Sequence, residues 1–375
     1  MISEGNQSRV LLLVNFEMAR RSRVLAWQLR LVERLSERFK RVIVVTESFD
    51  GSELAPNVEV HVVPRILQRM PLRLIGGRWL MLPYLSWIVR RERVDVCFVH
   101  MNMPWVRRLA PILRPRGIPV LLWYAHGSVT PELKRAERLA DAIVTSTPEG
   151  FRLASPKVSV IGQGIDTELF CPSPSTDRRG VVAVGRVSRS KGLGDLLETF
   201  QLLLKQPGFS GESLEICGAE LTRDDRDYRR ELEARILQLE LGGSVRFVGH
   251  VDRENLPGIF RRARLQLSLS RTGSMDKTVL EGLACGCPVL TTNPAFETLL
   301  SATVPPMYTP FTVAGTLALR AAEVAARFGT GAETEFLRAF VVGRHDERRY
   351  VDAVSDALSR LCGSGCSLSQ TRNPA

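Results

Sequence analysis

Seven short runs rich in apolar and β-branched residues fill the first 166 positions: "RVLLLVNF", "RVIVVTES", "VEVHVVP", "VDVCFVH", "IPVLLWYAHG", "DAIVTSTP" and "KVSVIGQGID". Stretches with helical spacing, such as 24–39, separate most of them. Strands that alternate with helices are joined by crossovers, which constrains the chain to parallel sheets covered by helices on both faces. The pattern stops at "CPSPSTDRRG" (171–180), a breaker-rich stretch without apolar period that reads as a linker. It then restarts with "VVAVGR", "LEICGAE", "SVRFVGH", "LQLSLS" and "PVLTT". Two similar α/β domains that face each other are therefore expected, over 1–172 and 173–345. A last helix at 346–361 and a small polar tail at 362–375, expected to be disordered, complete the chain.

A chain of 375 residues with 44% hydrophobic content can fill two cores of ordinary size. The seven cysteines are scattered, and the spacing of Cys285 and Cys287 suits neither a CxxC redox pair nor a zinc knuckle. Reduced thiols in a cytoplasm are the expectation. The start "MISEGNQSRVLLLVNF" has one short apolar run with no basic segment before it, which reads as a first strand and not a signal peptide.

Charge is uneven along the chain. Up to residue 172 there are 25 Lys and Arg against 16 Asp and Glu, and beyond it 26 against 24. Arginines at 65, 69, 73, 78, 90, 91 and 93 surround "LIGGRWLMLPYLSWIV", which is too interrupted to span a bilayer. This basic and aromatic stretch suits a core helix with solvated arginines, or a face resting on an anionic membrane surface. No nucleic-acid-binding motif accompanies the high pI, so no nucleic acid is expected as a partner.

Open α/β sheets bind ligands at the carboxyl ends of their strands. In the second half, "VGRVSRSKGLGDLLETF" puts Arg186 and Lys191 in the loop after the first strand, where two cations near a helix start favour a diphosphate. "SRTGSMDKTVLEGLACGCP" (270–288) runs from a strand through small residues into a helix, the layout of an anion site. There Gly273 leaves room for a phosphate, and the backbone N–H groups of Ser274, Met275, Asp276 and Lys277 would be the free donors of the first turn. Glu281, one turn further, suits an exposed helix surface as well as bidentate acceptance of a diol. Gly249, His250 and Val251 end another strand, where backbone can edge a base.

Together, "VGRVSRSKG", "VRFVGHVDRENLPGIFRRA" and "SRTGSMDKTVLEGLACGCPVLTT" resemble the nucleotide-sugar domain of retaining GT-B glycosyltransferases of family 4, the glycosyl transferases group 1. "WYAHGSV" and "DAIVTSTPEGFRLASPKVSVIGQGIDTELF" match the amino-terminal half more loosely. The resemblance implies two facing Rossmann-like domains with a carboxy-terminal helix crossing back. It implies a nucleotide-sugar donor, a glycan or lipid-linked acceptor, and neither metal nor other cofactor. Carried over, Arg186 and Lys191 bind the donor diphosphate, Glu281 the ribose, and His126, before a Gly, lies near the transferred sugar. A cytoplasmic enzyme, peripheral on the inner face of the membrane, is the expected setting.

The family's pattern has a second glutamate where this chain has Gly273, and Asp276 three residues on is the stand-in. The usual Gly-rich loop after the first strand is replaced by "EMARRSRV". Arg20, Arg21 and Arg23 there either hold an acceptor phosphate or are solvated, and His100 is a weaker acceptor-side candidate. A donor-binding subunit without activity, or a GT-B-like epimerase or phosphorylase, stays open beside the transferase. A Rossmann dehydrogenase is disfavoured because "NFEMAR", not GxGxxG, follows the first strand.

Overall fold

A computed structural model describes residues 6–20, 27–63, 75–173, 178–329 and 333–364. It divides into two compact units, Met1–Ile161 with Arg348–Ala375, and Gly162–Glu347. The strands are β1 (Val10–Val14), β2 (Arg41–Thr46), β3 (Val58–Val62), β4 (Val96–His100), β5 (Val120–Trp123), β6 (Ala142–Thr145), β7 (Val158–Val160), β8 (Val181–Val184), β9 (Leu214–Cys217), β10 (Val245–Gly249), β11 (Leu265–Ser268) and β12 (Val289–Thr291). The helices used below are α1 (Trp27–Ser36), α2 (Ile75–Arg91), α3 (Met103–Leu113), α4 (Pro131–Leu139), α5 (Leu193–Leu203), α6 (Arg223–Gln238), α7 (Leu256–Arg262) and α8 (Lys277–Ala284), with α9 (Glu347–Ser364) at the end.

In the first unit the strands run parallel in the order β3-β2-β1-β4-β5-β6-β7. The residues of β1 are all buried, which a two-sided sheet demands of its central strand. Alternate side chains serve opposite cores. Leu12, Val14, Ile43 and Val45 pack with Trp105 and Leu109 of α3, while Leu11, Leu13, Val42 and Val44 pack with Leu31 and Leu35 of α1. Val351, Val354 and Leu358 of α9 join this second core, and Tyr350 sets its ring edge-on to Trp123 at 5.0 Å. Each such aliphatic side chain withdrawn from water stabilises the unit by roughly 2 kcal/mol before chain entropy is counted.

The second unit has the parallel order β10-β9-β8-β11-β12 over one continuous core. Its two ends lie side by side. Ile165 N–H donates to the His345 carbonyl and Glu347 N–H to the Ile165 carbonyl, both at 2.8 Å. The Thr167 hydroxyl donates to Asp346 at 2.5 Å. Gln163 N–H donates to His345 Nδ1 at 3.1 Å, and burial lowers that imidazole to about 4, so the ring is neutral and free to accept.

No described helix is long and apolar enough to cross a membrane. The thiols of Cys97, Cys217, Cys285 and Cys287 are buried, and burial pushes Cys217 and Cys287 up to about 12. These four thiols are expected to resist iodoacetamide at pH 8 in the native protein and to react once it is denatured. Mass-spectrometric detection of native-state labelling at any of them would contradict the packing.

Candidate functional site

Both sheets reverse their strand order at one place, and in the second unit that switch point lies between β8 and β11. Loops leaving the carboxyl ends of those strands run to opposite faces and open a crevice there. The β8 loop starts at Gly185. A Cβ on Gly218, which follows β9, would lie 1.9 Å from the Gly185 carbonyl oxygen, so the two strand ends touch through bare backbone. Arg186 projects next, and its guanidinium grips Asp225 through Nε (2.8 Å) and Nη2 (2.7 Å). Asp225 also belongs to a capping box with Thr222 at the start of α6. Burial alone would raise its carboxyl; hydrogen bonds from Arg186, Leu221 and Thr222 outweigh this and hold it below the usual range.

The loop then makes a tight turn over Arg189–Lys191 and enters α5 through Gly192, whose φ of 64° is left-handed. A Cβ on Gly192 would meet the Leu269 carbonyl oxygen at 2.5 Å, so the turn rests on the end of β11. The Lys191 stem crosses Gly185, and its ammonium pairs with Asp276. Both candidate diphosphate cations thus carry an internal carboxylate partner.

Across the switch point, the loop 270–276 precedes α8, which starts at Lys277 and not at Ser274. Ser274 and Met275 therefore lie outside the first helical turn. Met275 is buried in the core, so only its backbone is available. The Ser274 hydroxyl is enclosed without a hydrogen-bond partner among the described residues. Gly273 has a φ of 71°, a conformation that disfavours an L-glutamate by about 1 kcal/mol. Asn293, after β12, fixes this loop by donating to the Ser274 carbonyl at 2.7 Å and to Asp276 at 3.4 Å. Asp276 is thus held by Lys191 and Asn293 together.

Helix α8 is clamped to the sheet. The Thr278 hydroxyl donates to the Val184 carbonyl at 3.1 Å, and a Cβ on Gly282 would meet Gln266 Oε1 at 2.2 Å. Glu281 is 8% exposed; its backbone carbonyl accepts from Cys285 N–H at 3.1 Å, and no described residue donates to its carboxylate. Burial raises its carboxyl, and the charges of Arg253 and Lys277 pull it back. The Lys277 ammonium, which lies one helical turn from Glu281, donates to the Gly164 carbonyl at 3.2 Å. Arg253, in the turn before α7, lies 3.5 Å from Asp166 and stacks over Phe170 at 5.2 Å.

At the end of β10, Gly249 has a φ of 82° and its carbonyl accepts from Gly218 N–H at 2.7 Å. His250 lies 3.4 Å from Asp252, and Val251 is half-buried against the core.

The other candidates belong to the first unit. His126 is exposed; its backbone N–H donates to the Gly150 carbonyl, and its Nδ1 accepts from Ser128 N–H at 3.1 Å. With Nδ1 accepting, Nε2 is the ring nitrogen left to donate. His100 is a correction to the acceptor-side expectation, because it is fully buried among the rings of Trp27, Phe98 and Trp123. A strand end in a two-sided sheet remains inside the core when aromatic side chains close over it. Arg20 lies on the surface 3.6 Å from Glu33. Arg21 and Arg23 lie outside the described residues, as do Arg65, Arg69 and Arg73 of the basic stretch.

Sequence reasoning missed Arg253 and Asp166 beside Glu281, and Asp225 beside Arg186. Arg253 stands in the quoted "HVDREN", but no local period tells which way it points; only the crossover topology brings it to α8.

Two family models match the chain. "Glycosyltransferase Family 4" covers residues 27–169 and "Glycosyl transferases group 1" covers residues 167–298. Among curated proteins, mannosylfructose-phosphate synthase of Agrobacterium fabrum is 27% identical over 173 residues, which is 41% of this chain and 38% of that protein. D-inositol 3-phosphate glycosyltransferase of Corynebacterium jeikeium is 28% identical over 176 residues, 41% of each. The chain thus spans about two fifths of the length of these curated relatives. Among solved structures, sucrose-phosphate synthase of Thermosynechococcus elongatus superposes with a TM-score of 0.74 at 15% identity, covering 95% of this chain and 100% of that one. HepE of Anabaena in complex with UDP-glucose gives 0.72 at 16% identity, covering 94% and 99%. Likeness at this level of identity concerns the fold.

The contact at Gly218 makes a local prediction. Gly218→Ala forces a methyl into the Gly185 carbonyl and is expected to lower stability by about 3 kcal/mol. Denaturant unfolding checks this, and a variant as stable as the parent would mean that the two strand ends are not in contact.

Proposed function

We propose that this chain, which belongs to the glycosyl transferases group 1 and has the two parallel-sheet α/β units of the GT-B fold, transfers a sugar from a nucleoside-diphosphate donor to a glycan or lipid-linked acceptor. The observation that carries this reading is the grouping at the β8/β11 switch point. Two cations, Arg186 and Lys191, leave one strand, while the helix after the other carries the nearly buried Glu281, to whose carboxylate no described residue donates. A buried carboxylate without donors is costly unless a ligand supplies them. The two hydroxyls of a ribose match that need.

Transfer with retention fits such a site. The diphosphate leaves the anomeric carbon while the acceptor hydroxyl approaches on the same face through an oxocarbenium-like transition state. The bond from the anomeric carbon to the diphosphate oxygen breaks, the bond to the acceptor oxygen forms, and the acceptor proton passes to the departing phosphate oxygen. Arg186, Lys191 and the start of α8 stabilise the leaving charge, at about 3 kcal/mol for each well-placed donor. Lys191 exchanges Asp276 for phosphate, and Asp276 becomes the acid nearest the position of Gly273. On the family resemblance alone, His126 of the first unit is the residue assigned to the transferred sugar. The backbone at Gly249 to Val251 edges the base. A uridine donor is the first to test because HepE was solved with UDP-glucose.

Glu281→Gln keeps the shape of α8 and removes the charge. Calorimetric titration with UDP-, GDP- and ADP-sugars, and release of nucleotide, are expected to fall at least about tenfold at unchanged circular dichroism. Parent-like binding and turnover would remove Glu281 from the site. Selective binding with no turnover on any acceptor would instead mark a donor-binding subunit.

A lipid-linked acceptor is favoured by one surface feature. Tyr84 and Trp87 of α2 are 40% and 47% exposed, stack at 6.0 Å, and carry Arg91 over the outer ring at 4.8 Å. Aromatic rings beside arginines suit the headgroup level of an anionic bilayer. Trp87→Ala is expected to reduce salt-sensitive co-sedimentation with phosphatidylglycerol vesicles several-fold. Equal recovery of parent and variant would remove this face from membrane contact.

A further inference from the structure

Asp276 stands at the entry of α8, where an aspartate ordinarily accepts from backbone N–H groups of its own first turn. Here its side chain makes no such cap among the described residues and turns to Lys191 instead. One carboxylate oxygen takes the Lys191 ammonium, and the other accepts from the Asn293 amide at 3.4 Å. Asn293 is fully buried and committed. It also donates to the Ser274 carbonyl at 2.7 Å, and its side-chain oxygen accepts from Ala295 N–H at 3.1 Å. The acid is therefore fixed from two sides, by the helix that carries it and by the residue after β12. Lys191 is the partner with freedom to move, because its charge ends a four-carbon stem that passes the bare backbone of Gly185.

The other cation is paired differently. Asp225 accepts from Arg186, Leu221 N–H and Thr222 N–H through the same oxygen, Oδ2, so this acid also serves the start of α6. A guanidinium can keep one edge on such a partner and offer another to an anion. A lysine ammonium is a single point charge, and a phosphate oxygen that approaches it has to share it with Asp276 or displace Asp276.

We propose that Asp276 is an internal competitor for Lys191: it retakes the ammonium as the nucleoside diphosphate leaves, and so weakens the hold on that product. The inference rests on the diphosphate reading of Lys191 and deepens it by assigning Asp276 a part in product release. After transfer the terminal phosphate carries more negative charge than it did as an ester of the sugar. Unopposed cations would hold that product more tightly than the donor it came from. In the exchange no covalent bond changes; Lys191 Nζ keeps its protons and trades a phosphate oxygen for a carboxylate oxygen.

The test is calorimetric affinity of the full chain for UDP, GDP and ADP, parent against Asp276→Asn, which keeps the side-chain shape and removes the charge. The best-bound of the three is expected to bind about fivefold tighter to the variant. The same substitution made in Lys191→Met isolates the route, and there the gain should vanish because no ammonium is left to compete for. Equal or weaker binding by Asp276→Asn would overturn the proposal, since the acid would then only hold the lysine in place. A gain that persists in full without the lysine would also overturn it, and would mean plain repulsion between acid and ligand. Asp276→Ala carries the same expectations if the asparagine variant does not fold, and the first comparison decides alone if Lys191→Met binds too weakly to measure. Parent-like affinity in Lys191→Met, or no binding of any of the three by parent and variants, would instead mean that the diphosphate reading of Lys191 has failed and the competition with it.

Discussion

A parallel strand covered on both faces has nowhere to put a polar side chain except at its end. That constraint shapes both units. The interiors of β1, β4, β5 and β8 are apolar, β11 holds one buried polar residue, Gln266, inside it, and the other polar side chains cluster where these strands stop. Chemistry is confined to the carboxyl rim of each sheet, and the reversal of strand order at β8/β11 selects one place on that rim. Everything specific about the candidate site follows from keeping its two loops close together. Gly185 against Gly218 and Gly192 against Leu269 remove side-chain bulk where strand ends and loops meet, and Asn293 pins the second loop from the next strand.

Because the approach is so close, the charges at the rim are in contact with one another before any ligand arrives. Arg186 is held by Asp225 and Lys191 by Asp276. These pairs keep the cations ordered and lower the cost of arranging them around an anion. They also set a threshold, since a weak anion gains little by exchanging with a carboxylate at hydrogen-bond distance. A diphosphate, with more charge and more acceptor oxygens, gains more.

Much of the architecture was legible because parallel strands write their burial directly into sequence. The runs from "RVLLLVNF" to "PVLTT" coincide with the strands, and α9 starts one residue from its expected place. Arg186, Lys191 and Glu281 could be singled out because each lies in a loop or helix just after such a run. What the sequence hid depends on crossover geometry. Nothing local to Ile161 and Gly162 marks the change of unit, because the partner of that segment is His345, more than 180 residues away. His100 reads as a strand end open to solvent, but the rings of Trp27 and Trp123 from other segments and of Phe98 on its own strand surround it. Arg253 sits 28 residues before Glu281, and only the path through α7 and β11 brings the two together. The start of α8 was misplaced by three residues because Gly273 and Ser274 suit a helix entry as well as a loop.

The side-by-side ends of the second unit have a consequence for synthesis. Gly162 to Thr167 pairs with His345 to Glu347, so this unit is complete in one continuous piece of chain. The first unit is not. Tyr350, Val351, Val354 and Leu358 belong to one face of its sheet, and they leave the ribosome after every residue of the second unit. The amino-terminal half of the chain, although made first, keeps part of one sheet face bare until α9, at the far end of the second unit, has been made. In this molecule the order of translation and the order of completion are opposite.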